Sequence, residues 1–294
     1  MIPSFYRSDQ VLSRQIPTAV PFVDFNQDGY PDRAIGRWPV RDQQQLKNVV
    51  DKTLLWHTQG SHKDSKTSLF IAGSRDAYND FTGSSNRLIS SLGLPEQPWL
   101  TPLTVYSDVI AEDDSIASGQ KLTHNRNLLV DSISQGPALT VFSGHGAPVS
   151  WGAQRLLNAD IADQLTNSHA PSLMVPLACY TTYYETPEVK SLSEQLLTES
   201  TAGAVALSGA ALLSTMLDNE RFTRSLLQYM TVTGLDLGTA VMKVKQGMRG
   251  GGLSQEAMVF NWVTLGDPTL SFGLPDITPE VVKPDSKGET KRGL

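Results

Sequence analysis

Only one cysteine, Cys179, occurs in the 294 residues. No internal disulfide can staple the chain, and a structural zinc site, which needs several thiols or a tight Cys/His cluster, lacks its ligands. Charge is also sparse. Lys and Arg number 24 against 30 Asp and Glu, a net of −6, and charged residues are 18% of the total with no run of one sign. That balance argues against nucleic acid as a partner. The longest near-apolar stretch, Ala202 to Leu213, is interrupted by Ser208. It falls well short of the roughly 20 residues that cross a bilayer. Met1 to Asp9 lack the basic start and apolar stretch of a secretory signal. Gly-x-Ser-x-Gly, His-Glu-x-x-His and the P-loop are missing as well, which removes serine hydrolase, zincin and nucleotide hydrolase readings at the motif level.

What remains is a globular composition with 39% hydrophobic residues, long enough for one large domain or two small ones. Apolar or β-branched runs predict strands at Arg33–Trp38, Ser68–Ala72, Leu103–Tyr106, Leu139–Phe142, Leu173–Leu177, Ala204–Leu207 and Val259–Leu265. Apolar residues at three- and four-residue spacing predict helices at Asp42–Trp56, Phe81–Leu92, Asn125–Ser132, Ser191–Thr198, Asn219–Met230 and Asp236–Met248. Strands alternating with helices imply an α/β fold, a parallel sheet with helices on both faces. From Gly273 onward a Pro-, Lys- and Asp-rich segment carries no periodic pattern and reads as a tail or linker.

Two strand ends carry chemistry. The run Ala138–Phe142 leads into Gly144-His145-Gly146, and the run Ser172–Leu177 leads into Cys179. The distance along the chain between His145 and Cys179 is about that of one strand–helix–strand crossover. A right-handed crossover would bring both carboxyl ends to the edge where open α/β sheets place active sites. Singly, each residue reads as ordinary structure. Together they read as a thiol nucleophile with an imidazole acid/base partner.

In order and spacing, six segments resemble the gingipain-type cysteine peptidases of the caspase and legumain clan. These are DFNQDGYPDRAIGRWPV, SGHG followed by Trp151, LAC, SLSEQLL, GAVALSG and the Gly266-Asp267-Pro268 of LGDPTL, within Val20 to Leu274. The resemblance implies a caspase-like fold, with 1–64 the end of a first α/β subdomain, 65–274 the catalytic subdomain and 275–294 a tail. It implies a cysteine endopeptidase acting on protein or peptide substrates, flanked by further domains of a longer chain and secreted or at the cell surface. It carries over His145 and Cys179 as the catalytic dyad and the backbone N–H groups of Gly146 and Cys179 as the oxyanion hole. Asp76 would orient His145. Asp80, with Trp151, would line the substrate pocket and bind an Arg or Lys side chain. As residues alone, Asp80 just before Phe81 also reads as a helix N-cap.

A separate candidate lies at Asp24, Asn26, Asp28, Tyr30 and Asp32, where oxygen donors alternate around Gly29. The spacing suits a structural Ca2+ loop that catalysis would not require, or an Asx-rich turn. Gly247 to Gly252 follows a helix and reads as a loop; Tyr180, Tyr183 and Tyr184 read as a pocket wall or as packing. His57, His62, His124 and His169 have no partner at metal-ligand spacing. Two rival functions stay open: a catalytically silent, calcium-stabilised binding or secretion-associated module, and an acyl-transfer enzyme using the same thiol.

Overall fold

The structure is a computed structural model that describes residues 4–9, 14–59, 67–93, 100–186 and 188–272. His62 and the tail from 275 lie outside them. In chain order the elements are β1 (Phe5–Asp9), β2 (Arg14–Thr18), α1 (Gln43–Gln59), β3 (Thr67–Ala72), α2 (Phe81–Ser91), β4 (Thr101–Tyr106), α3 (Ser107–Glu112), α4 (Lys121–Ser134) and β5 (Leu139–Ser143). They continue with β6 (Gly146–Ala147), β7 (Ser150–Trp151), β8 (Leu157–Asn158), β9 (Ser172–Leu177), α5 (Leu192–Thr198), β10 (Ala204–Ala210), α6 (Met216–Thr231), α7 (Leu237–Gly247), α8 (Leu253–Asn261) and β11 (Trp262–Gly266).

The main sheet has the order β11-β10-β9-β5-β3-β4. Neighbours from β10 to β4 pair in parallel, and β11 closes the edge antiparallel to β10. The sheet is thus mixed but mostly parallel, in the expected α/β class. Its central strands are buried along their whole length, because helices cover both faces. On one face Phe70, Val141, Leu173, Val175 and Val205 pack with α2, α6, α7 and α8. On the other, Leu69, Ile71, Phe142, Met174 and Leu207 pack with α1, α4 and α5. Each such side chain removed from water contributes about 1.5–3 kcal/mol. Helix starts are fixed locally: Asp80, Ser191, Thr215 and Asp236 each cap a helix through a side-chain oxygen, Ser191 in a reciprocal box with Glu194.

Two predicted elements differ. Arg33–Trp38 makes a single bridge, Arg37 to Leu265, in place of a strand. Its tripeptide Ile35-Gly36-Arg37 lies against the late LGDP turn: Arg37 N donates to Thr264 O at 3.0 Å and Gly266 N donates to Arg37 O at 2.9 Å. A Cβ on Gly36 would sit 2.3 Å from Gly266 O, so only glycine allows that approach. Val259–Leu265 is split, helical to Asn261 and extended from Trp262, because apolar periodicity cannot separate a buried helix end from a buried strand. No helix among the described residues is long and apolar enough to cross a membrane.

Candidate active site

Register places the strand ends. Ser143 of β5 pairs with Leu177 of β9 and with Ala72 of β3. His145 and Cys179 each follow that paired row by two residues, and the loop after Ala72 carries Asp76. The backbones touch behind the side chains, since a Cβ on Gly146 would lie 2.3 Å from Cys179 O.

His145 Nε2 lies 2.6 Å from Asp76 Oδ2. An ionised carboxylate only accepts, so Nε2 carries the proton and Nδ1 is left for other work. Asp76 Oδ1 accepts from Tyr78 N at 2.7 Å and Asn79 N at 2.8 Å, and the Asn79 amide reaches both oxygens. The Asn79 side chain, the Tyr78 N–H and His145 hold the Asp76 carboxyl well below the usual range. The loop is tied to α3, where Asp108 accepts from Arg75 N at 3.1 Å and Glu112 pairs with the Arg75 guanidinium at 2.7 Å. The Phe81 ring meets the imidazole edge-on at 5.2 Å.

Cys179 is half-buried. The next residue, Tyr180, has φ +59°, a left-handed conformation costing a non-glycine residue of order 1–2 kcal/mol. Tyr180 N donates to Leu212 O at 3.0 Å, and Arg14 of β2 donates to its hydroxyl at 2.7 Å. Tyr180 and Tyr183 pack on the first core and Tyr184 on the second, beneath the Arg37 guanidinium at 4.7 Å. Among the described residues the hydrogen bonds of the sulfur all run to Ser214, just beyond β10: the thiol donates to its carbonyl at 3.3 Å and accepts from its N–H at 3.4 Å. Ser214 was not among the sequence candidates. The topology could have pointed to it, because the strand ending near Leu207 is the parallel neighbour of the cysteine strand.

The pocket candidates divide. Asp80 is exposed and caps α2, its Oδ1 accepting from Gly83 N at 2.8 Å. Trp151 is corrected: it is 1% exposed, stacked on Phe142 with centroids 5.1 Å apart, and belongs to the core. The chain doubles back after Gly146 through β6 and β7, which turns the indole inward.

The Asp24 loop closes on itself. Asp24 accepts from Asp28 N and Gly29 N at 3.0 and 2.9 Å, Asn26 Oδ1 from Asp28 N at 3.0 Å, and Asp32 Oδ2 from Phe25 N at 2.8 Å. Asp28 takes Tyr30 N on one oxygen and the Arg249 guanidinium on the other, at 3.0 and 2.6 Å. Arg249 comes from the glycine-rich loop after α7 and also lies 4.1 Å over the Tyr30 ring. The guanidinium and the Tyr30 N–H lower the Asp28 carboxyl. Among the described residues no three of His, Cys, Asp and Glu are grouped to hold a metal ion.

The family model described as peptidase family C25 matches residues 1–273. The chain belongs to peptidase family C25. Gingipain R, an Arg-specific cysteine proteinase, superposes on this C25 chain with a TM-score of 0.70 at 18% identity, covering 92% of this chain and 61% of that one. The pro- and mature-domain complex of the Porphyromonas gingivalis enzyme gives 0.70 at 18%, covering 87% and 60%. A further solved protease gives 0.62 at 16%, covering 87% and 60%. The C25 chain thus spans about six-tenths of the length of these structures, and at such identity they show a shared fold. A comparison with curated proteins gives no match.

Proposed function

We propose that this chain is a cysteine endopeptidase in which Cys179 is the nucleophile, His145 the acid/base and Asp76 the group that orients the imidazole. The observation that carries it is the register of β3, β5 and β9, which delivers three chemically matched residues to one edge. In the proposed reaction Cys179 Sγ attacks the scissile carbonyl carbon, and the oxygen takes the negative charge. The backbone N–H groups of Gly146 and Cys179 would hold that oxyanion, fixed donors being worth more than mobile water. The proton lost by sulfur reaches the leaving amine through His145 Nδ1 as the C–N bond breaks. Water then attacks the thioester, giving its proton to Nδ1, and the C–S bond breaks to restore the thiol.

For residue preference we propose Asp80 as the acceptor of an Arg or Lys side chain. Its support is position: it adjoins Phe81, whose ring touches His145. A peptide panel varied before the cleaved bond tests both levels. Cys179→Ala is expected to abolish hydrolysis with the melting temperature unchanged, and retained turnover would overturn the nucleophile. Asp80→Asn keeps the cap, since Asn caps about as well as Asp. Its kcat/KM for basic substrates should fall about tenfold, about 1.4 kcal/mol, with alkylation of Cys179 unaltered. An unaltered preference would leave Asp80 as a cap. A peptide-based thiol probe that never labels Cys179 would favour the silent module.

A further inference from the structure

Four neighbouring parallel strands, β3, β5, β9 and β10, each lead into one polar residue of the site: Asp76, His145, Cys179 and Ser214. The first three enter the proposed peptidase reaction, and the fourth has no role in it. Resting on that peptidase reading, we propose that Ser214, positioned by Asn219, is the seat of the Cys179 sulfur and supports the anion as it forms.

Among the described residues every hydrogen bond of the sulfur runs to Ser214: to its carbonyl at 3.3 Å, from its N–H at 3.4 Å and from its hydroxyl at 3.9 Å. The first suits the resting thiol, which has a proton to give. The other two suit the thiolate, which can only accept. On ionisation the carbonyl contact becomes unfavourable, and the N–H and the hydroxyl are the groups that hold the anion.

Asn219, on the first turn of α6 and 2% exposed, donates through Nδ2 to Ser214 Oγ at 2.8 Å. An oxygen occupied as acceptor from that side keeps its own O–H for the sulfur. The order amide, hydroxyl, sulfur runs in one direction, so each bond polarises the next. The ionisable chain neighbours of these residues are engaged elsewhere: the Tyr180 hydroxyl by Arg14, Asp218 Oδ2 by Thr215 and Ser254, and Glu220 by Ser84 and Arg87. The hydroxyl donor is thus the part of the arrangement that a single neutral substitution removes.

The test is the rate of alkylation by iodoacetamide at neutral pH, measured on the full chain beside peptide hydrolysis. Ser214→Ala should slow alkylation about threefold or more, the size of one ordinary hydrogen bond. It should lower kcat with little change in KM. Ser214→Thr, which restores the hydroxyl, should recover most of both. Asn219→Ala should slow alkylation too, and the double variant should be no slower than Ser214→Ala, because Asn219 acts through Ser214. If Asn219→Ala does not fold, the Ala and Thr variants at 214 decide. Unchanged alkylation in folded Ser214→Ala, no recovery with Thr, or slowing that multiplies in the double variant would overturn the proposal. Alkylation needs no peptide. A chain that shows this pattern yet cleaves nothing would sink the peptidase reading and leave the sulfur seat standing.

Discussion

His145 and Cys179 leave adjacent strands at the same register, yet the ground beneath them is built differently. On the histidine side the imidazole is 52% and Asp76 33% exposed, and the loop is held by exposed polar contacts, Arg75 to Asp108 and Glu112. On the cysteine side the turn is buried. Thr182 is 0% exposed, its N–H bonded to Ala210 O and its hydroxyl to Gly209 O, while Ser193 donates to Thr181 O. The nucleophile is thus fixed by backbone and packing, its partner by replaceable side chains. Damage to the turn beneath the cysteine should cost stability and rate together, and damage to the support of the imidazole chiefly rate.

Two glycines, one beside His145 but pressed against the cysteine turn and one clear of it, give the sharpest contrast. A methyl on Gly146 would meet Cys179 O at 2.3 Å and the Ala178 side chain at 2.9 Å, whereas one on Gly73 would find its nearest atom at 3.7 Å. Gly146→Ala should lower the melting temperature by several degrees and remove most hydrolysis, since overpacking costs about 1–3 kcal/mol. Gly73→Ala should leave both near wild type. Thermal melts and peptide turnover of the pair decide it, and equal behaviour of the two would erase the contrast between the sides.

Asp76→Ala probes the exposed side alone. Hydrolysis should fall at least about tenfold, an ordinary loss when an acid/base group is no longer held in place. Alkylation of Cys179 should barely move, and melting at neutral pH should fall only slightly, because the pair is exposed. Because Asn79, Tyr78 N–H and His145 depress the Asp76 carboxyl, it stays ionised where ordinary carboxyls protonate. Its contribution to stability is therefore present above the unfolded carboxyl value and is lost only as pH falls through the lower folded one. An acid limb of the rate profile then belongs to another group. Recovery of ordinary carboxylate titration at Asp76, read by NMR, would contradict the arrangement.

The same contrast explains what could be read from the chain. Buried strands announce themselves as apolar runs, and their ends placed His145 and Cys179 without knowledge of any contact. Asp76 needed the family resemblance, because an Asp in an exposed loop looks like any Asx turn. Ser214 escaped because its carbonyl and N–H do much of its work, and backbone groups leave no mark in sequence. Trp151 misled for a related reason: it is close to SGHG along the chain, but two short strands turn it into the core. Likewise Arg33–Trp38 has a strand's composition and finds only one bridge to pair with.

The smallest effect is expected at Asp24 to Asp32, which supply no residue to the proposed reaction. Alternating oxygens there satisfy a calcium pattern, but most of those oxygens already accept backbone N–H groups, and Asp28 faces a cation, the Arg249 guanidinium. Calcium would have to displace that guanidinium or share the carboxylate with it. We therefore expect melting curves in calcium and in EDTA to coincide. Asp28→Ala should lower the midpoint slightly in both, since an exposed pair contributes little. Arg249→Ala sharpens the choice. With a turn alone it should weaken the loop as Asp28→Ala does. With a latent metal site it should free the carboxylate and make melting calcium-dependent, as binding to the folded state alone raises stability by mass action. A midpoint that climbs with calcium in the wild type would show that the guanidinium yields, and that the loop is a cation site which Arg249 fills when calcium is scarce.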